Sequence, residues 1–268
     1  HYRSLFVADG GTYVKCEACG MCYLNPVFTN KALSEFYGGN NAAQGEVVSN
    51  ESEFYRKIYG KGLAAIMRSV NKGEILDIGC STGFFLDVAR ESGWSTWGVE
   101  LNKREVLVAE KKGHHTFNQL LESLTFPKLF DAISMWDVFE HIKDGGQHLR
   151  SLKPLLSKQG VLFIQIPNFG ALAARILQEK CKMFDGLEHV NLHSPATIRR
   201  MAEACGYEIV HLETVISEIP VVANHLDYED PYLGSVDHGG KIMSLIDEAA
   251  LHRGLLGYKM QVVMRPLV

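Results

Sequence analysis

From Gly73 onward, short apolar runs alternate with stretches of helical periodicity, and that alternation leaves few folds open. "EILDIG" (74–79), "STWGVE" (95–100), "FDAISMWDV" (130–138) and "GVLFIQIPN" (160–168) read as buried strands. Between them, "GFFLDVARES" (83–92), "KREVLVAEKKG" (103–113) and "GQHLRSLKPLLSKQG" (146–160) read as helices, each ending at or just before a glycine. "HHTF" (114–117) is a weaker strand, "SPATIRRMAEACG" (194–206) a helix opened by Ser194, and "YEIVHLETV" (207–215) and "YKMQVVMRP" (258–266) the last two strands. A strand followed by a helix must cross over to a parallel neighbour. The expectation is an α/β fold with a doubly wound, seven-stranded, mostly parallel sheet covered on both faces. An insertion at about 217–256 separates the last two strands, with "KIMSLIDEAALHRG" (241–254) as its expected helix.

Ahead of this region the character differs. Residues 1–29 are strand-like and turn-rich and hold three of the six cysteines, Cys16, Cys19 and Cys22. Residues 30–72 read as a helical linker or lid, in which Tyr55, Tyr59 and Leu63 recur at helical spacing as a packing face. Cys80, Cys181 and Cys205 lie in apolar or helical stretches and read as small buried hydrophobes, and His114 and His115 read as surface residues. The net charge of −4 gives no long-range attraction to nucleic acid or to an anionic membrane. No apolar run approaches the ~20 residues that span a bilayer, and no charged-then-apolar leader is present. The expected setting is cytoplasmic, with neither nucleic acid nor membrane as partner.

In a parallel sheet of this kind, ligands lie beyond the carboxyl ends of the strands, beside the first strand. Here that place is held by Gly79-Cys80-Ser81-Thr82-Gly83-Phe84. The dinucleotide fingerprint G-x-G-x-x-G needs glycines where Ser81 and Phe84 stand, which argues against a pyrophosphate. Two residues before Gly79 stands Asp77, and at the end of the second strand stands Glu100. A carboxylate at the latter place accepts bonds from two ribose hydroxyls. Asp77 discriminates, because a carboxylate repels a diphosphate and suits the cationic end of an amino acid.

These residues carry a resemblance. "LDIGCSTGFFLDVARESGWSTWGVELN" is similar to the first two motifs of class I S-adenosylmethionine-dependent methyltransferases, and "FDAISMWDVFEHIKDGGQHLRSLKPLLSKQGVLFIQIPN" resembles their fourth and fifth strands. "EHVNLHSPATIRRMAEACGYEIV" resembles the segment that follows, so the likeness covers residues 73 to about 215, in the expected order. It implies a Rossmann-like fold over 73–268 and S-adenosylmethionine as cofactor. Gly79, Cys80, Ser81 and Gly83 would line the methionine and ribose through backbone, with Asp77 near the amino group. Glu100 would hold the ribose, Leu101 the adenine, and Trp136 would lie near the methionine. Where the family often places an acid for the adenine amino group, this chain reads "FNQLLES", leaving Asn118 or backbone for that contact.

The same resemblance implies methyl transfer to a small-molecule or glycan-type acceptor, by O-methylation. His141, just past the fourth strand, is the first candidate for the base, with Glu140 beside it and His189 in the loop after strand five. His193 shares that loop, where capping and packing are the plainer reading of both histidines. Asp137, Glu140 and His141 could also hold a divalent cation. Residues 30–60 and the acidic stretch 225–240, with Asp227, Glu229, Asp230 and Asp237, would cover the acceptor. "CEACGMCYLNP" resembles half of a zinc ribbon found ahead of such domains, which makes Cys16 and Cys19 candidate ligands of a structural zinc, with Cys22 or His1 as further ligands. Two other readings stay open: a non-catalytic cofactor-binding interaction module, and a nicotinamide-dependent oxidoreductase.

Overall fold

The computed structural model describes residues 1–29, 52–226, 228–230, 234–236 and 244–267. Residues 30–51 of the expected lid at 30–72, and much of the acidic stretch at 225–240, lie outside the described residues. Strands β1 (Tyr2–Ala8), β2 (Gly11–Cys16) and β3 (Cys22–Leu24) come first, followed by helix α1 (Ser52–Met67). The alternating region then runs β4 (Glu74–Ile78), α2 (Phe84–Glu91), β5 (Ser95–Val99), α3 (Lys103–Lys111), β6 (His115–Phe117), β7 (Phe130–Trp136), α4 (Gly145–Leu152) and β8 (Leu156–Pro167). Beyond it lie α5 (Leu172–Leu177), β9 (Asn191–Leu192), α6 (Pro195–Ala204), β10 (Tyr207–Val215), α7 (Ile219–Leu226), β11 (Tyr228–Asp230), β12 (Gly234–Val236), α8 (Glu248–Arg253) and β13 (Lys259–Pro266). Among the described residues, no helix is long and apolar enough to cross a membrane.

The expected sheet forms. Its seven strands lie in the order β10-β13-β8-β7-β4-β5-β6. β4 pairs in parallel with β5 and β7, β5 with β6, and β7 with β8. Ile75, Leu76, Ile133, Leu162 and Ile164 are fully buried in these strands, each contributing about 1.5–3 kcal/mol relative to exposure.

Some boundaries depart from the sequence expectation. The helix expected at 146–160 stops at Leu152, passes through a 3₁₀ turn at Lys153–Leu155, and is already strand at Leu156. Pro154 accounts for the stop, since it lacks the N–H that a further helical turn requires. The insertion helix is shorter than expected: α8 starts where Asp247 accepts the Ala249 N–H at 3.0 Å. His114 is a correction, because it is buried rather than at the surface. Its Nδ1 lies 2.8 Å from Thr96 Oγ1 and its Nε2 3.0 Å from Asp87, and burial holds its pKa below the ordinary value.

The chain divides into two units. The first comprises His1–Val27, Ile166–Arg200 and Leu212–Gln261, and the second Phe28–Gln165, Met201–His211 and Val262–Val268. In the first, an antiparallel sheet runs β1-β2-β3-β9. The N-terminal hairpin therefore shares its sheet with Asn191–Leu192, and Tyr13, Cys22, Leu24, Phe184 and Leu192 share one apolar core. Asp185 organises the loop before β9 by accepting the N–H groups of Leu187, Glu188 and His189 at 2.9–3.1 Å. Buried among these segments, His193 has its pKa pushed down to about 4 by desolvation.

Candidate functional site

In the second unit, β4 ends at Ile78 and the chain turns through 79–83 into α2. Gly79 and Gly83 have φ of 75° and 77°, and Ser81 between them has φ 48°. A Cβ on Gly79 would stand 2.5 Å from Val138 Cγ2, and one on Gly83 2.9 Å from His114 Cδ2. Both positions therefore require glycine on backbone and steric grounds together. Ser81 is a side-chain-bearing residue held in the left-handed region, the kind of strain that gathers where backbone must meet a ligand.

Glu100 locks this turn. Its Oε2 accepts the Ser81 N–H at 3.0 Å and its Oε1 the Asn102 N–H at 2.8 Å. Its own N–H bonds to the Phe117 carbonyl at 3.0 Å. Asn118 Nδ2 donates to the carbonyls of Glu100 and Leu101 at 2.9 and 2.8 Å, so both amide protons are spent on backbone and the amide oxygen is left as an acceptor. Leu101 itself is 58% exposed.

Asp77 lies inside β4, 2% exposed, and accepts a bond from Ser134 Oγ at 2.7 Å. Burial pushes its pKa up to about 8; the Ser134 bond opposes that rise and the Glu100 charge adds to it. Cys80 is also buried, and burial keeps its thiol protonated. Trp136 closes β7 with its ring 4.7 Å from Tyr59, 4.8 Å from Phe85 and 4.4 Å from Phe163. Trp136 Nε1 and Ser81 Oγ are buried with no hydrogen-bond partner among the described residues. Unpartnered polar atoms at the ends of these two neighbouring strands fit a site whose polar partner is a ligand.

Beyond Trp136 the chain is strained again. Asp137 has φ 53°, its N–H bonds to the Gln165 carbonyl at 3.0 Å, and its Oδ2 accepts from Gln165 Nε2 at 3.1 Å. Phe139–His141 is a 3₁₀ turn in which Glu140 is fully buried and His141 half-buried, its N–H bonded to the Val138 carbonyl at 3.0 Å. His189 belongs to the first unit, where its Nδ1 lies 2.8 Å from the Met183 carbonyl and 3.4 Å from Asp185.

Two residues escaped the sequence reading. Ser134 stands opposite Asp77 in the β4–β7 register, a pairing that no local pattern announces. Tyr59 looked like packing alone, yet burial first, then the charges of Asp77 and Asp137, raise its pKa. Its helical spacing from Tyr55 was the available signal.

In the first unit, Cys16 ends β2 and Cys19 lies in the turn to β3, both half-buried. The Cys16 N–H bonds to the Met21 carbonyl and the Gly20 N–H to the Cys16 carbonyl, both at 2.9 Å. The Cys19 N–H, the Cys19 thiol and the Ala18 N–H hold the Cys16 thiol below its ordinary pKa. Cys22 is a correction: it is buried in the apolar core, its pKa pushed up to about 12 by desolvation. Among the described residues, no third His, Cys, Asp or Glu ligand atom converges with the Cys16 and Cys19 sulfurs. These residues supply two of the four ligands a closed zinc site needs, so they do not fit one by themselves.

A parallel sheet with a glycine turn after β4 and a locked carboxylate after β5 defines a Rossmann-like protein built around a nucleoside-bearing ligand. A family model described as "Methyltransferase domain" matches residues 52–212. The chain belongs to that family. It is 31% identical over 103 residues to a ubiquinone biosynthesis O-methyltransferase of Pelagibacter ubique, a match covering 35% of this chain and 42% of that protein. The chain thus spans less than half the length of that relative. It is 26% identical over 167 residues to the uncharacterized protein MJ1123 of Methanocaldococcus jannaschii, covering 62% of this chain and 80% of the other. Among solved structures, the plantazolicin methyltransferase BpumL, in complex with a monoazolic desmethylPZN analog and SAH, superposes with a TM-score of 0.60 at 13% identity, covering 89% of this chain and 94% of that one. At that identity the likeness shows the fold alone.

Proposed function

We propose that the chain is an S-adenosylmethionine-dependent methyltransferase that O-methylates a small-molecule or sugar-containing acceptor. The observation that carries this reading is the lock of Glu100 onto the glycine turn. Each carboxylate oxygen accepts one backbone N–H and keeps a lone pair, enough for two ribose hydroxyls. Gly79, Cys80, Ser81 and Gly83 present backbone to the methionine and ribose, Leu101 offers apolar surface to the adenine, and Trp136 stands by the methionine. Asp77 takes the ammonium group, whose charge offsets the cost of a buried carboxylate.

Bound there, S-adenosylmethionine supplies a methyl group already activated by its sulfonium. The chain's share is alignment and exclusion of water, which can contribute up to ~7–11 kcal/mol. His141 removes the acceptor's hydroxyl proton, with Glu140 next to it in the same 3₁₀ turn. The similarity to a ubiquinone biosynthesis O-methyltransferase of Pelagibacter ubique supports a hydroxyl acceptor.

The test is a screen of phenols, catechols and free sugars for release of S-adenosylhomocysteine. His141→Ala is expected to lower turnover on an active acceptor by roughly 10²–10⁴-fold while leaving cofactor affinity unchanged. Equal turnover in variant and parent removes His141 as the base.

A further inference from the structure

We propose that Tyr59 binds the carboxylate of the cofactor's methionine arm, its hydroxyl donating to that group while Asp77 takes the ammonium. This rests on the S-adenosylmethionine reading and deepens it. Side chains alternate along a strand, and partners in a parallel pair point to one face. Asp77 stands opposite Ser134, and Ser134 opposite Phe163. Trp136 is two residues beyond Ser134, so all four share that face. Helix α1 lies against it: a Cβ on Gly62 would collide with the rings of Trp136 and Phe163.

Tyr59 precedes Gly62 by three residues and so lies on the same side of α1. Its ring centre is 4.7 Å from that of Trp136 and 5.7 Å from those of both Phe84 and Phe85. It therefore joins the end of β7 to the start of α2, the helix into which the Gly79–Gly83 turn leads. Tyr59 is half-buried, and among the described residues its hydroxyl has no hydrogen-bond partner. Trp136, 8% exposed, holds its Nε1 buried with no partner among the described residues as well. Two donors of one aromatic cluster are thus unpartnered on the face that carries the Asp77 carboxylate.

An amino-acid zwitterion asks for that combination. Its ammonium needs an acceptor, which Asp77 offers, and its carboxylate needs donors. A phenol keeps its proton at neutral pH and donates it. Arg56, one turn earlier on α1, is spent elsewhere: its Nη1 donates to Glu91 Oε2 at 2.6 Å, and its guanidinium lies 5.5 Å from the Phe84 ring centre. A neutral hydroxyl has a further advantage over a guanidinium, because it brings no fixed cation to compete with the ammonium for Asp77.

Tyr59→Phe keeps the ring and its packing and removes only the hydroxyl. The full chain and this variant are titrated calorimetrically with S-adenosylmethionine, S-adenosylhomocysteine, decarboxylated S-adenosylmethionine and 5′-deoxy-5′-methylthioadenosine, which lacks the whole amino-acid arm. The variant should bind the first two roughly 5- to 100-fold more weakly than the parent, the scale of a lost hydrogen bond to a charged group. For the two ligands without a carboxylate, variant and parent should bind equally. Equal affinity of variant and parent for S-adenosylmethionine overturns the proposal, and so does an equal loss on all four ligands, which would mark Tyr59 as packing. In both cases the parent's own binding leaves the cofactor reading intact. A folded parent that binds none of the four overturns that reading, and this inference with it.

Discussion

Glu100→Ala is expected to weaken S-adenosylmethionine binding by roughly 1–3 kcal/mol, the range for hydrogen bonds to a charged group. That corresponds to a roughly 5- to 150-fold higher Kd. Two losses combine. The ribose hydroxyls lose their acceptor, and the N–H groups of Ser81 and Asn102 lose theirs, so the turn that must present backbone to the ligand is no longer pinned. Glu100→Gln separates little from alanine, because its amide nitrogen would face a second donor where Glu100 offers an acceptor. Calorimetry on the folded variants reads both. Unchanged affinity would place the ribose contact elsewhere.

Asp77→Asn should raise stability and lower cofactor affinity in the same molecule. Burial holds the folded-state pKa of Asp77 near 8, against 3.8 for an unperturbed aspartate. Between those values the folded chain binds the proton more tightly than the unfolded chain does. Stability from this group is therefore full at low pH, falls as pH rises through that window, and is lost above about 8. Asparagine carries no charge and keeps an oxygen for the Ser134 hydroxyl. The variant should melt about 5 °C or more above the parent at pH 8, with the two converging near pH 4. His193 contributes in the opposite sense, since burial depresses its pKa to about 4, so its share is lost as pH falls from about 6.5 toward 4. Variant and parent share that histidine, and comparing them at each pH removes it. S-adenosylmethionine should raise the melting temperature of the parent more than that of the variant. No gain at pH 8 would mean that the buried carboxylate already has a cationic partner in the ligand-free chain.

The parts of this fold that were legible in the sequence are those specified by local pattern. Short apolar runs marked β4, β5, β7 and β8, because a strand buried on both faces has few polar positions to alternate. The turn at 79–83 was legible because glycine at a left-handed position is a backbone requirement. What was not legible depends on partners distant in the chain. β9 is two residues long and becomes a strand only by pairing with β3. His114 carries no mark of burial; Thr96 and Asp87, which satisfy both ring nitrogens, reach it through tertiary packing. The lone carboxylate of Asp77 pointed to a cationic ligand, but its dependence on Ser134 required the register of two strands. Cys22 shares its spacing with Cys16 and Cys19, and only the core behind β3 separates it from them.

The central claim is that the Gly79–Gly83 turn and Glu100 hold S-adenosylmethionine. A calorimetric titration of the full chain with S-adenosylmethionine, S-adenosylhomocysteine and NAD tests it most directly. Micromolar binding of the first two and none of NAD is the predicted result. Binding of NAD alone, or of none of the three by folded protein, would contradict it.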